Sequence, residues 1–122
     1  MDTIMNGQLV YIHHSCFCLH IDQRTFLFDF PDNSLLTPDQ IDLVHSEIKD
    51  SELYVFCSHS HEDHYNKELI GLDNFAYQAR YILSDDIQDL FPDTVPLNSL
   101  IVEPEDSILV MIWQLLLYQA MI

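Results

Sequence analysis

The stretch Leu53-Tyr54-Val55-Phe56-Cys57-Ser58-His59-Ser60-His61-Glu62-Asp63-His64 joins a short apolar run to a polar one. A brief, uninterrupted apolar run predicts a strand buried on both faces over 53–57. In an α/β sheet such a strand delivers the residues after it to the carboxyl edge, where ligands bind. Here those residues include His59, His61, Glu62, Asp63 and His64. In extended chain His59 and His61, two apart, fall on the same side. That suits two imidazoles gripping one ion. Asp63 and His64 follow at a turn and can aim at a second position a few ångströms on. Neutral imidazole and carboxylate together suit Zn²⁺ or another borderline divalent metal. Such an ion would bring the pKa of bound water to about 7 and supply hydroxide at neutral pH. The plain alternative is a solvated acidic turn with incidental His, and the ligand density argues against it.

Outward from this stretch, the chain alternates short strands and helices. Residues 9–13, 17–21 and 25–30 read as strands, with Asp22-Gln23-Arg24 as a tight connection and Pro31 ending the third. Thr37-Pro38-Asp39-Gln40 is a helix start, with an N-cap Thr, a Pro at the first helical position and Gln three residues after the cap. Ile41, Val44 and Ile48 then recur at helical spacing. A second helix is predicted over 66–72, a strand over 80–83, a short helix from Ser84 or Asp85, and a strand over 100–102. Asp85 and Asp86 fit a helix N-terminus, where negative charge is favourable. Phe75, Tyr77 and Tyr81 are expected in the core.

Composition narrows the function classes. The 122 residues suffice for one domain with a real core. A hydrophobic content of 48% and an aromatic content of 11% exclude a disordered chain. Four Lys plus Arg against 20 Asp plus Glu give a formal charge of −16, which repels phosphate backbones and anionic membrane surfaces but attracts cations. Three cysteines, Cys16, Cys18 and Cys57, argue against a disulfide scaffold. Residues 1–8 lack a basic and then apolar leader, so the expected compartment is the cytoplasm. Residues 107–122 carry no charge; as a helix they would span about 24 Å, short of the ~30 Å of hydrocarbon, with no flanking Lys or Arg. No membrane anchor is expected.

H-x-H-x-D-H after a short apolar strand resembles the signature of the metallo-β-lactamase superfamily, carried here by His59, His61, Asp63 and His64. His14-Ser15-Cys16-Phe17 resembles the G-H-S-x-F segment of the branch that includes ascorbate-phosphate-lactonase-like hydrolases, with His13 in the Gly position. Leu27-Phe28-Asp29-Phe30-Pro31 resembles that branch's strand ending in Asp. The resemblance covers about residues 8–106.

The resemblance implies a four-layer αββα sandwich, of which this chain would form half, with a mixed sheet and flanking helices (α+β or α/β). His59 and His61 would hold a first metal ion, and Asp63 and His64 a second. Asp63 would also orient the attacking water. Asp29 and His14 would support the ligands from behind. The ion would be Zn²⁺, with Mn²⁺, Fe²⁺ or Ni²⁺ as alternatives. The reaction would be metal-assisted hydrolysis of an ester, lactone or phosphodiester in a small-molecule substrate.

The family's remaining ligands, two His and a bridging Asp, lie downstream of its motif, and no His follows His64 here. Residues 1–106 therefore read as a truncated, N-terminal part of such a domain. Residues 107–122 read either as a frameshifted, non-native end or as a buried segment covering the sheet. An inner sheet face would otherwise lie open, and a second copy of the chain could cover it. Three rivals follow: a hydrolase, a non-catalytic or vestigial metal-binding fragment, and a subunit completed by a partner chain.

The other candidates have simpler readings. Glu62 is expected to face solvent, and His45 to be a partly exposed helix residue. His20 is expected on an outer sheet face. Cys16 and Cys18, at C-x-C spacing, read as small buried hydrophobes, and Cys57 as core.

Overall fold

An all-apolar strand needs neighbours on either side, and the Leu53–Cys57 run has them, with Leu53, Val55, Phe56 and Cys57 buried and Tyr54 half-buried. In the computed structural model, which describes residues 7–96 and 99–103, it belongs to strand β4 (Glu52–Cys57) inside a six-stranded mixed sheet. The other strands are β1 (Gly7–His13), β2 (Cys16–Ile21), β3 (Arg24–Phe28), β5 (Gln78–Ser84) and β6 (Ser99–Val102). Their order in space is their order in sequence. β1, β2 and β3 form an antiparallel meander, while β3, β4, β5 and β6 run parallel. Parallel neighbours need crossovers. These are α1 (Pro38–Ile48), a run of 3-10 turns (Lys67–Asn74), and α2 (Asp85–Leu90) with a 3-10 turn at Pro92–Thr94.

Helix α1 starts where the sequence puts it. Thr37 accepts from the Gln40 N–H at 3.2 Å and Gln40 Oε1 accepts from the Thr37 N–H at 2.8 Å, a reciprocal capping box with Pro38 in the first turn. Val44 and Ile48 are fully buried, about 1.5–3 kcal/mol of burial each.

The two faces of the sheet have different characters. On one, register aligns Val10, Cys18, Leu27, Val55 and Tyr81 across five strands. Val44 and Ile48 of α1, Leu69 and Leu72 of the 3-10 run, and Ile87 of α2 pack onto that side. On the other, register aligns Tyr11, Phe17, Phe28, Phe56, Ile82 and Leu100. Phe17, Phe28 and Phe56 stack successively, with centroids 4.5 and 5.0 Å apart. Among the described residues this second cluster draws on strands alone.

Several sequence expectations are corrected. The third strand stops at Phe28, two residues early, because Asp29 adopts a left-handed φ of 48°. The second helix is a run of 3-10 turns; its buried residues, Leu69 and Leu72, are three apart, which matches three residues per turn. Of the three aromatics expected in the core, Tyr81 is buried, with its hydroxyl donating to the Leu69 carbonyl, while Phe75 and Tyr77 are exposed. His20, expected on an outer face, lies on the helix-covered side, where its ring bonds Thr25 Oγ1 (3.0 Å) and Glu47 Oε1 of α1 (2.9 Å). On the second face Ile21, Phe26 and Phe56 are buried, and Leu9, Tyr11 and Leu100 of the outer strands are exposed. The expectations for residues 107–122 lie outside the described residues. No helix among the described residues is long and apolar enough to cross a membrane.

Candidate metal centre

The parallel strands β3, β4 and β5 end at the same edge of the sheet, so Asp29, the 58–64 loop and the start of α2 meet there. The positive φ of Asp29 ends the β3 ladder while its N–H still donates to the Phe56 carbonyl at 2.8 Å. Asp is among the few non-glycine residues that accept this conformation readily.

The Asp29 carboxylate organises the loop. Its Oδ1 accepts from the Ser58 N–H at 2.8 Å, and the Ser58 hydroxyl lies 2.9 Å from both carboxylate oxygens. Its Oδ2 is 3.1 Å from Nδ1 of His64. The Ser58 hydroxyl is also 2.7 Å from Nδ1 of His59. A hydroxyl has one proton to give. With that proton directed to Asp29, Ser58 accepts from His59 Nδ1–H. Asp29 therefore sets the tautomer of His64 directly and of His59 through Ser58. Both rings are left with a lone pair at Nε2, the form in which imidazole binds metals.

The loop is clamped from three sides. Beneath it, the single proton of the buried Cys57 thiol is shared between the carbonyls of His59 (3.2 Å) and His64 (2.8 Å). Burial, aided by the charge of Asp29, pushes that thiol well above its ordinary pKa and keeps it protonated. Beside the loop, the Asp32 N–H donates to the Glu62 carbonyl at 2.8 Å. Buried Asn66 donates to the Pro31 carbonyl (2.7 Å) and Asn33 Oδ1 (2.6 Å), and accepts from the Glu68 N–H (2.8 Å). From α2, Asp86 Oδ2 accepts from the Ser60 N–H at 2.9 Å, and its Oδ1 accepts from the Ser84 hydroxyl. Burial opposes ionisation of Asp86, but the bonds from Ser84 and Ser60 and the proximity of His59 outweigh it and hold the carboxyl below its ordinary value.

The sequence-predicted ligands lie together at this edge. The His59 ring is 4.8 Å from that of His64 and 6.1 Å from that of His61, centroid to centroid. Asp63 Oδ2 is 3.4 Å from Nε2 of His64. His59, His61 and Asp63 are exposed, and His64 is half-buried. The donor types fit a divalent cation, but no three His, Cys, Asp or Glu side chains among the described residues are drawn together closely enough to hold one as they stand. His14 occupies the β1–β2 turn at this same edge, with φ 47°, exposed and edge-on to His13 at 4.2 Å. Glu62 is exposed.

Sequence reading missed Ser58, Asn66 and Asp86 as parts of this site. Asp86 carried a usable signal: it opens the helix after a parallel strand, which places it at the ligand edge. Cys16 and Cys18 are fully buried in the helix-covered core, and burial pushes the Cys18 thiol up to about 12, so neither presents a thiolate. No protein-family model matches the chain, and no curated protein matches it.

Proposed function

We propose that this chain carries the metal-binding part of a hydrolase of the metallo-β-lactamase superfamily, one sheet and one helical layer of the αββα sandwich. The observation that carries the reading is the Asp29 hub. One carboxylate fixes Nδ1 of His64 and, through Ser58, Nδ1 of His59, beside Asp63 at the carboxyl edge of the sheet. A surface turn with incidental His has no need to set two tautomers.

In this reading His59 and His61 hold one ion, and Asp63 and His64 a second, most simply Zn²⁺, with Mn²⁺, Fe²⁺ or Ni²⁺ as alternatives. A bound ion would polarise a carbonyl or phosphoryl oxygen and acidify water. Asp63 orients the nucleophile, and Asp29 keeps two imidazoles in their metal-binding tautomers. The substrate class is a small ester, lactone or phosphodiester. The charge of −16 disfavours nucleic acid and anionic membranes as partners.

A second reading is a metal-binding chain without catalysis of its own, or a subunit whose ligands are completed by a partner chain or a second copy. The spread of the donors, none of them converging in threes among the described residues, favours it. Elemental analysis of protein purified without added metal tests the common ground of both. About one to two equivalents per folded chain are expected. A metal-free protein that takes up no Zn²⁺ on titration overturns both. A monomer that binds metal and hydrolyses a panel of esters, lactones and phosphodiesters selects the first.

A further inference from the structure

We infer that Asp86 is a positioning residue for the metal-binding loop, holding His59 by its backbone while Asp29 holds it by its ring. The inference rests on the metal-binding reading above. The Ser60 N–H belongs to the peptide that joins His59 to Ser60. Its 2.9 Å bond to Asp86 Oδ2 fixes that peptide plane, and with it the direction in which His59 leaves the chain. Ser60 is buried, although His59 and His61 on either side of it are exposed. The backbone between the two imidazoles is thus anchored at Ser60, while the His59 ring is held separately through Ser58.

The start of α2 is organised around this bond. Ser84 is the N-cap of α2, yet its side chain makes no capping bond. Its hydroxyl is committed to Asp86 Oδ1 instead. An N-cap serine usually accepts from the helix's own N–H groups. Here that contact is given up, and the carboxylate it holds spends its other oxygen on a loop 26 residues upstream. Asp86 acts as a bracket between β5, α2 and the loop, and it need not touch an ion to do so.

The test is Zn²⁺ affinity, by competition with a chromophoric chelator, alongside the urea midpoint of the metal-free protein. Asp86→Ala removes the acceptor, and Asp86→Asn keeps an oxygen for the Ser60 N–H and can donate its amide to Ser84. The expected result is about a tenfold loss of affinity in Asp86→Ala, with recovery to within about threefold of the original in Asp86→Asn. Should Asp86→Ala not fold, Asp86→Glu keeps the charge but displaces the acceptor by one methylene, and a several-fold loss is expected there. A folded Asp86→Ala or Asp86→Glu protein with undiminished affinity overturns the inference and leaves the metal reading intact. A parent protein that binds no Zn²⁺ overturns both. Equal losses in Asp86→Ala and Asp86→Asn overturn the positioning role by showing that charge alone matters.

Discussion

Asp29 combines two tasks in one side chain: a left-handed corner that ends β3 and a carboxylate that receives Ser58 and His64. Asp29→Ala loses both the acceptor and the tolerance for positive φ. Leaving the part-buried Ser58 N–H unpaired costs about 1–3 kcal/mol, read as a lowered urea midpoint. Zn²⁺ affinity is expected to fall by about 10- to 100-fold. Asp29→Gly would keep the corner and lose only the carboxylate, so an equal loss of affinity with a smaller loss of stability is expected. Among the candidate ligands, His59→Ala and Asp63→Ala are expected to lower bound metal far more than Glu62→Ala, because Glu62 contributes its carbonyl to Asp32 and keeps its side chain in solvent. Equal metal content in the three variants would remove the motif from the site. Because imidazole must be neutral to bind, metal release is expected below about pH 5–6; retention at about pH 4 would contradict it. At this scale the sequence was legible where chemistry is carried by side chains close together in the chain, as in 59–64. The position of Asp86 at the start of the helix after a parallel strand was legible, but its role was not, because its partner is a backbone N–H and no residue type advertises that.

Helix α1 was the most legible element, since its start is written in local chemistry: Thr37, Pro38 and Gln40 each have a role that needs no distant partner. Gln40 also donates through Nε2 to the Ile12 carbonyl of β1 at 3.1 Å, which ties the helix start to the sheet. Thr37→Ala is expected to cost about 1 kcal/mol, read by urea denaturation. Gln40→Ala should cost more, because it breaks both the box and the contact with β1. The 3-10 run over Lys67–Asn74 was harder to read. Its buried residues, Leu69 and Leu72, are three apart, a spacing compatible with either helical period. The end of β3 was missed for a related reason: Phe30 continues the apolar pattern, but the backbone has already turned at Asp29.

For the whole molecule, the alternation of side chains on the two faces could be read from period, whereas the order of strands could not. The three cysteines give that division a measurable signature. All lie in the helix-covered core, and all have thiols pushed upward by burial. In native protein none is expected to react with iodoacetamide, and all should react once the chain is unfolded in urea. Rapid alkylation of native protein would place them outside the core. The same burial sets an alkaline limit. Burial raises the Cys18 pKa from 9.0 to about 12, with the charge of Glu47 adding to it. The folded state thus favours the protonated thiol. Its contribution to stability is complete below the unfolded value near 9 and is lost as pH rises toward the folded one. A urea midpoint that stays flat from pH 8 to about pH 11 would contradict this.

The meander and the crossovers place their contacts at very different separations along the chain. β1, β2 and β3 pair across tight turns, whereas Phe28 meets Phe56 only after the whole α1 crossover has closed. Closing a long loop costs entropy before its contacts repay it. Asp29 follows the local, meander half of the sheet, and Ser58 and His64 follow a strand paired across the long crossover. The candidate site is therefore a product of chain closure and is assembled only where β4 docks on β3. In refolding followed by pulsed hydrogen exchange, the β2 amides should gain protection before the amides of Asp29 and Ser58, whose bonds to Phe56 and Asp29 span that closure.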